Sequence, residues 1–152
     1  MKRVQLINRV RSLTRDFSNS IFREQDIIDF INEGINRFKQ VIPEFSSMDR
    51  LLVQDQEPTL IPESYQHLLA VYATSRCFGQ DERHYQATTL MNEFETKLDE
   101  LKQAIENGDI TIIDPTTGEA MEIGMNAVDY INLEPYWGIK KKPRGFDVVG
   151  DD

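Results

Sequence analysis

Residues 82–108, ERHYQATTLMNEFETKLDELKQAIENG, decide the fold. In this stretch Ala87, Leu90, Met91, Phe94, Leu98, Leu101 and Ile105 recur every three or four residues, which is the period of one helix face. The spacing predicts a long amphipathic helix from Glu82 to Asn107, closed by Asn107-Gly108. Just upstream, Pro62 opens a second helical pattern, because a proline's missing N–H would be unpaired in a first turn anyway. Tyr65, Leu68, Leu69, Tyr72, Ala73 and Arg76 or Cys77 continue one face as far as Gly79, the expected C-terminal cap. The link Gly79-Gln80-Asp81 is short, so these two helices are expected to form an antiparallel hairpin.

Two further helices precede the hairpin. Val4, Ile7, Val10, Leu13 and Phe17 form one stripe, predicting a helix from Val4 to Phe17 that breaks at Ser18-Asn19-Ser20. Another is expected from Arg23 to Val41, with Glu24 and Asp26 in the first turn, where the helix dipole favours negative charge. Its buried stripe reads Ile27, Ile28, Ile31, Ile35, Phe38 and Ile42, and Pro43 ends it. Gly34 inside this helix costs about 1 kcal/mol relative to Ala, which marks a close approach by another backbone. Between the helix pairs, Leu51-Leu52-Val53 and Thr59-Leu60-Ile61 either pair as a small hairpin or pack as an extended loop.

The pattern changes at Asp109. Ile110–Ile113 and Glu119–Ile123 flank Asp114-Pro115-Thr116-Thr117-Gly118, a turn signal that predicts a β-hairpin. Beyond it Tyr130, Leu133, Tyr136, Trp137 and Phe146 stand among Gly and Pro with no period, beside the basic cluster Lys140-Lys141-Lys142. Large apolar anchors without a fold of their own need a surface to lie on, either their own bundle or a partner. The expected organisation is mainly α: a bundle of about four helices over residues 1–108, then a β-hairpin and extended C-terminal arm over 109–152.

Composition sets outer bounds. The 152 residues suffice for one domain, or for a smaller domain plus an arm, and no apolar run is long enough to span a membrane. The N-terminal residues show no apolar core of a secretion signal, and the single Cys77 cannot close an internal disulfide, so folding in a reducing cytoplasm is expected. Charge is uneven: residues 1–50 carry nine Lys/Arg against seven Asp/Glu (+2), and residues 51–152 carry eight against 19 (−11), for −9 in all. A chain this acidic does not wrap nucleic acid tightly, since that affinity comes from basic side chains displacing counterions. The basic residues of the first helix, Lys2, Arg3, Arg9, Arg11 and Arg15, read as a solvated face, with phosphate contact as the alternative.

Catalytic signatures are hard to find. Cys77 with His67 or His84 would need a nucleophile beside its base, but Cys77 falls on an apolar face, where an inert thiol is the ordinary state. His67 follows Glu63 by four residues, the spacing of a helix-surface pair. Asp109, Asp114 and Glu119 are five apart, a spacing that fits no EF-hand loop. No phosphate-binding loop, dinucleotide fingerprint or nucleophile elbow is present. No enzyme activity, cofactor or metal is therefore expected.

The order of the helical signals carries a resemblance. Phe22–Ile28 leads into Ile31-Asn32-Glu33-Gly34-Ile35-Asn36-Arg37-Phe38 and stops at Pro43; Leu60-Ile61-Pro62 then opens a helix with Tyr65–Ala73, followed by a polar break and a long helix with Ala87, Asn92, Phe94 and Leu98. Over residues 1–107 this succession resembles the head–tail connector (adaptor) proteins of tailed bacteriophages. The resemblance implies a virion neck protein assembled in the host cytoplasm. It implies a twelve-fold ring beneath the portal protein that extends the channel for viral DNA and docks a downstream neck or tail protein. Tyr130, Leu133, Tyr136 and Trp137 would then anchor the arm in a groove of a partner, with Lys140, Lys141 and Lys142 meeting an acidic rim. A small helical DNA- or regulator-binding module is the alternative reading.

Overall fold

The third helix is surrounded by the other three. In the computed structural model, which describes residues 1–114 and 117–120, the helices are α1 (Arg3–Thr14), α2 (Glu24–Val41), α3 (Leu68–Gln80) and α4 (His84–Glu106). Two 3-10 turns, Pro43–Phe45 and Glu63–Tyr65, interrupt the chain between α2 and α3. Met1–Ala120 forms one unit, in which α3 packs against α1, α2 and α4. The sequence of α3 explains that position: Leu68, Leu69, Ala70, Val71, Ala73, Thr74, Ser75 and Cys77 are all buried, more than one stripe could supply. The expected mainly helical class and its four helices stand. Among the described residues there is no strand, only an isolated antiparallel bridge between Ile113 and Ala120. The rest of the expected hairpin and all of the arm lie outside the described residues.

The α3–α4 pair is antiparallel, as its register shows. Ser75 Oγ donates to the Ala87 carbonyl at 2.6 Å, and earlier in α3 the Tyr72 ring meets the Phe94 ring further along α4, centroids 5.1 Å apart. Phe94 also meets Phe38 of α2 at 5.8 Å, and Phe38 meets Phe45 of the following turn at 5.7 Å. Such tilted aromatic pairs add about 0.5–1.5 kcal/mol each to simple burial. Arg37 forks onto Glu95 through two hydrogen bonds of 2.9 and 2.8 Å, tying α2 to α4 at the same level. Gly34 is the close approach expected of it, but to side chains rather than backbone: a Cβ there would sit 3.2 Å from Leu69 Cδ2 and 3.4 Å from Tyr72.

Helices α1, α3 and α4 end the same way, on a residue with left-handed backbone whose own N–H and that of the residue after it turn back onto the last carbonyls. At α4 this residue is Gly108 (φ 83°), as expected, with Gly108 N–H on Ile105 O and Asp109 N–H on Ala104 O. At α3 it is Glu82 (φ 60°), which donates to Gly79 O while Arg83 donates to Phe78 O. Gly79, expected as that cap, is an interior residue of α3 and lies where the helix passes Ala87. The 3-10 turn Glu63–Tyr65 likewise delays α3 beyond the Pro62 start that was expected.

Residues 46–61 form no hairpin. Three side-chain carboxamides organise them as a loop. Buried Asn32 of α2 accepts from Leu51 N–H at 2.8 Å and donates to Leu51 O at 3.4 Å. Gln56 accepts from Leu52 N–H and donates to Arg50 O, and buried Gln66 donates to Pro58 O and Ile61 O. Met48, Leu51, Leu60 and Ile61 fill the core beneath, whereas Leu52 and Val53 point outward. The loop in turn serves α1, whose Arg3 and Val4 N–H groups donate to Gln56 O and Gln54 O.

Two stability measurements follow. Glu82→Gly is expected to raise the unfolding free energy by roughly 0.5–1 kcal/mol, since relief of the left-handed strain outweighs glycine's extra unfolded entropy. Asn32→Ala is expected to cost about 1–3 kcal/mol by stranding the Leu51 backbone. Urea unfolding reads both, and an Asn32→Ala loss no larger than that of exposed Asn36→Ala would contradict the second.

Candidate interaction surface

The end of α1 is built around a buried ion pair. Arg11 and Asp16 are 8% and 1% exposed, and Arg11 Nη1 lies 2.6 Å from Asp16 Oδ2. The arrangement begins locally: Arg15 takes the left-handed conformation (φ 60°), donates to Ser12 O, and turns Asp16 N–H onto Arg11 O. The Asp16 carboxylate then accepts from the N–H groups of Ser20, Ile21 and Phe22 at 3.0–3.1 Å, while Arg11 also donates to Phe22 O at 2.9 Å. One side chain thereby holds the whole α1–α2 connection, including a second left-handed residue, Asn19. Burial works to raise the Asp16 carboxyl, but the three backbone donors and the Arg11 charge outweigh it, and its pKa lies below the ordinary 3.8.

The consequence on the outside is apolar. Leu13 is 41%, Phe17 75% and Ile21 57% exposed, all within nine residues of this turn. Leu13 and Phe17 were expected in the core stripe of the first helix. Instead the helix stops at Thr14, and the buried face is Leu6, Ile7, Val10, Arg11 and Thr14. The two polar members of that face are satisfied internally, Arg11 by Asp16 and Thr14 Oγ1 by Val10 O at 2.9 Å. The signal for this was Asp16 followed by Ser18-Asn19-Ser20: a carboxylate beside a turn that offers it free N–H groups.

Most of the basic residues of α1 are already engaged. Arg11 is buried, Arg3 donates to Leu52 O at 2.8 Å, and Lys2 lies 3.8 Å from Asp55. Arg9 and Arg15 stay exposed on the flank that carries Leu13 and Phe17.

The remaining chemical candidates are dispersed. Cys77 is fully buried and its thiol is pushed up to about 12 by burial. His67 precedes α3 by one residue, about 15 Å along the helix from Cys77, and His84 is exposed at the start of α4. Asp114 N–H donates to Glu119 O at 2.8 Å and Asp114 O accepts from Gly118 N–H at 2.7 Å, so these residues close a turn. Among the described residues no three His, Cys, Asp or Glu side chains gather where a metal ion could be held. A hollow of about 360 Å³ opens between the 46–61 loop and Asp114, lined by Ser47, Met48, Asp49, Glu57 and Thr59 among others. The arm residues Tyr130, Leu133, Tyr136, Trp137, Lys140, Lys141 and Lys142 lie outside the described residues. No protein-family model, characterised protein or solved structure matches the chain.

The Asp16 geometry has a pH signature. A carboxyl whose folded pKa is depressed contributes stability above its ordinary value and loses it as pH falls through the folded pKa. Asp16→Asn is expected to be markedly destabilised at pH 5–7, with the deficit shrinking below about pH 3.8 as the wild type loses the same contribution. Denaturant melts across that range check it, and an equal deficit at pH 2.5 and pH 7 would exclude the assignment.

Proposed function

We propose that this chain is a structural virion protein, a head–tail connector that forms a ring beneath the portal of a tailed bacteriophage and docks the next neck or tail component. The observation that carries the reading is the helical succession itself: α2 stopped at Pro43, a packed loop, then the α3–α4 hairpin, with Ile31, Ile35, Phe38, Leu68, Leu69, Phe94 and Leu98 buried. Those are positions on which the resemblance to connector proteins rests. Its work is done by surfaces rather than by a reaction centre. A net charge of −9 suits a ring through which DNA slides without adsorbing.

The DNA-binding alternative is weakened by the fate of α1's cations, because Arg11 is buried and Arg3 and Lys2 are held by the 50–57 loop. In the first helix this leaves Arg9, Arg15 and half-exposed Lys2 as a small phosphate footprint, each contact contributing about one to the salt slope of binding; Lys140 to Arg144, which that reading also uses, lie outside the described residues.

In this reading the arm docks on the portal through Tyr130, Leu133, Tyr136 and Trp137, with Lys140, Lys141 and Lys142 at an acidic rim. Light scattering of the chain, alone and mixed with a tailed-phage portal protein, tests the role. A twelve-fold complex with portal is expected, and Trp137→Ala is expected to weaken it by about 2 kcal/mol or more. Equal portal binding by wild type and Trp137→Ala would remove the arm's anchoring role. Steeply salt-dependent DNA binding without portal binding would replace the connector reading with the alternative.

A further inference from the structure

Helix α4 ends on Asn107-Gly108, a pair of exposed residues that can react with itself. The Gly108 backbone nitrogen can give up its proton and bond to the side-chain carbon Cγ of Asn107. The Cγ–Nδ2 bond then breaks, and the nitrogen takes that proton and leaves as ammonia, so the chain carries a cyclic imide. Water opens the imide at either carbonyl. Opening on the side-chain side gives aspartate. Opening on the backbone side gives isoaspartate, in which the main chain runs through the side-chain carbons. Glycine hinders the attack least, because it has no Cβ. Every other asparagine of the chain precedes a residue that has a side chain. Around Gly108 the space is open, with no atom within 4 Å of where a Cβ would stand.

The folded cap withholds this reaction. Asn107 ψ is −8°, which turns Gly108 N toward the Asn107 backbone nitrogen and away from its Cβ. The Gly108 N–H is also committed to Ile105 O at 3.1 Å. Beyond it, Asp109 and Ile110 both donate to Ala104 O, at 2.9 and 3.2 Å. Closing the imide ring requires rotation about the Asn107 Cα–C bond, which breaks all three hydrogen bonds. We propose that Asn107-Gly108 is a self-modification site gated by the α4 cap: the closed cap suppresses imide formation, and opening of the last turn permits it. The isoaspartate product lengthens the backbone by one carbon and sets a carboxylate beside the carbonyl end of α4, where the helix dipole disfavours negative charge. Conversion therefore marks the junction between α4 and the segment that buried Ile112 anchors in the core. This chemistry holds whatever the chain assembles with.

The test is the rate of Asn107 conversion in the full-length chain at neutral pH, native and in unfolding urea. Peptide mapping by mass spectrometry, with the isoaspartyl forms separated by chromatography, reads it. In urea, Asn107 is expected to convert at least about tenfold faster than exposed Asn36, whose follower is Arg37. In the native chain Asn107 is expected to convert at least about tenfold more slowly than in urea, because the native rate is the open-state rate multiplied by the open population. Asp109→Pro removes the N–H that donates to Ala104 O and leaves the reacting pair unchanged. With its helices intact by circular dichroism, this variant is expected to convert at least about threefold faster than native wild type. Equal rates in native and unfolded wild type, or unfolded Asn107 no faster than Asn36, would overturn the proposal. So would a folded Asp109→Pro chain converting at the wild-type rate. If that variant does not fold, the two wild-type rates decide the matter.

Discussion

The constraint on which the rest depends is that α3 has almost no side to give to water. Eight of its 13 residues are buried, and they include Ala70, Ala73 and Ser75, whose small side chains let neighbours come close on several sides at once. A helix of this kind is unstable until covered, so the positions of α1, α2 and α4 follow from its need for cover rather than from their own pairings. Close contacts made by small residues lie against it: Gly34 of α2 under Leu69 and Tyr72, and Ala87 of α4 over Ser75 and Gly79. Small residues sit at these close contacts, and the rings of Phe38, Phe45 and Phe94 fill the core between α2, α4 and the turn after α2.

Around that centre the connections are rigid for reasons other than apolar burial. The α1–α2 turn is held by one carboxylate and one guanidinium, and the 46–61 loop by three carboxamides. Both segments expose large apolar side chains, Phe17 and Ile21 in the first and Leu52 and Val53 in the second. Polar groups placed inside and apolar groups placed outside reverse the usual economy of a loop, and surfaces built this way are fitted for contact with other molecules.

Much of this was legible in the sequence where one physical signal dominated. Every member of the α2 stripe from Ile27 to Ile42 is buried, because regular isoleucine spacing leaves a helix one way to face the core. The long α4 helix and its Gly108 cap were also plain, although of its predicted stripe only Phe94, Leu98 and Leu101 are fully buried and Ala87, Leu90, Met91 and Ile105 are half-buried. The phase of α1 was not, since Arg11 and Thr14 take core positions that apolarity assigns to Leu13 and Phe17. Only the tertiary partner Asp16 makes a buried arginine tolerable. The cap of α3 was hidden for a similar reason: Glu82 adopts a conformation typical of glycine, so the nearby Gly79 drew the assignment. Of the surface argued for above, the charges were visible in the sequence and the exposed apolar group was not.

The loop after α2 has one more property, which follows from the kind of atoms that hold it. Asn32, Gln56 and Gln66 bind backbone through neutral amides, which neither titrate nor attract counterions. The helix crossings use Arg37 with Glu95 and Arg76 with Glu33, partly exposed charges that added electrolyte screens. Rising ionic strength therefore acts unevenly on this molecule. It relaxes the braces between helices, and the Met1–Glu57 and Lys2–Asp55 pairs at the start of α1, while the amide hydrogen bonds that shape the loop itself keep their hold, so a saline environment tunes how the helices lean on one another without dissolving the loop beneath them.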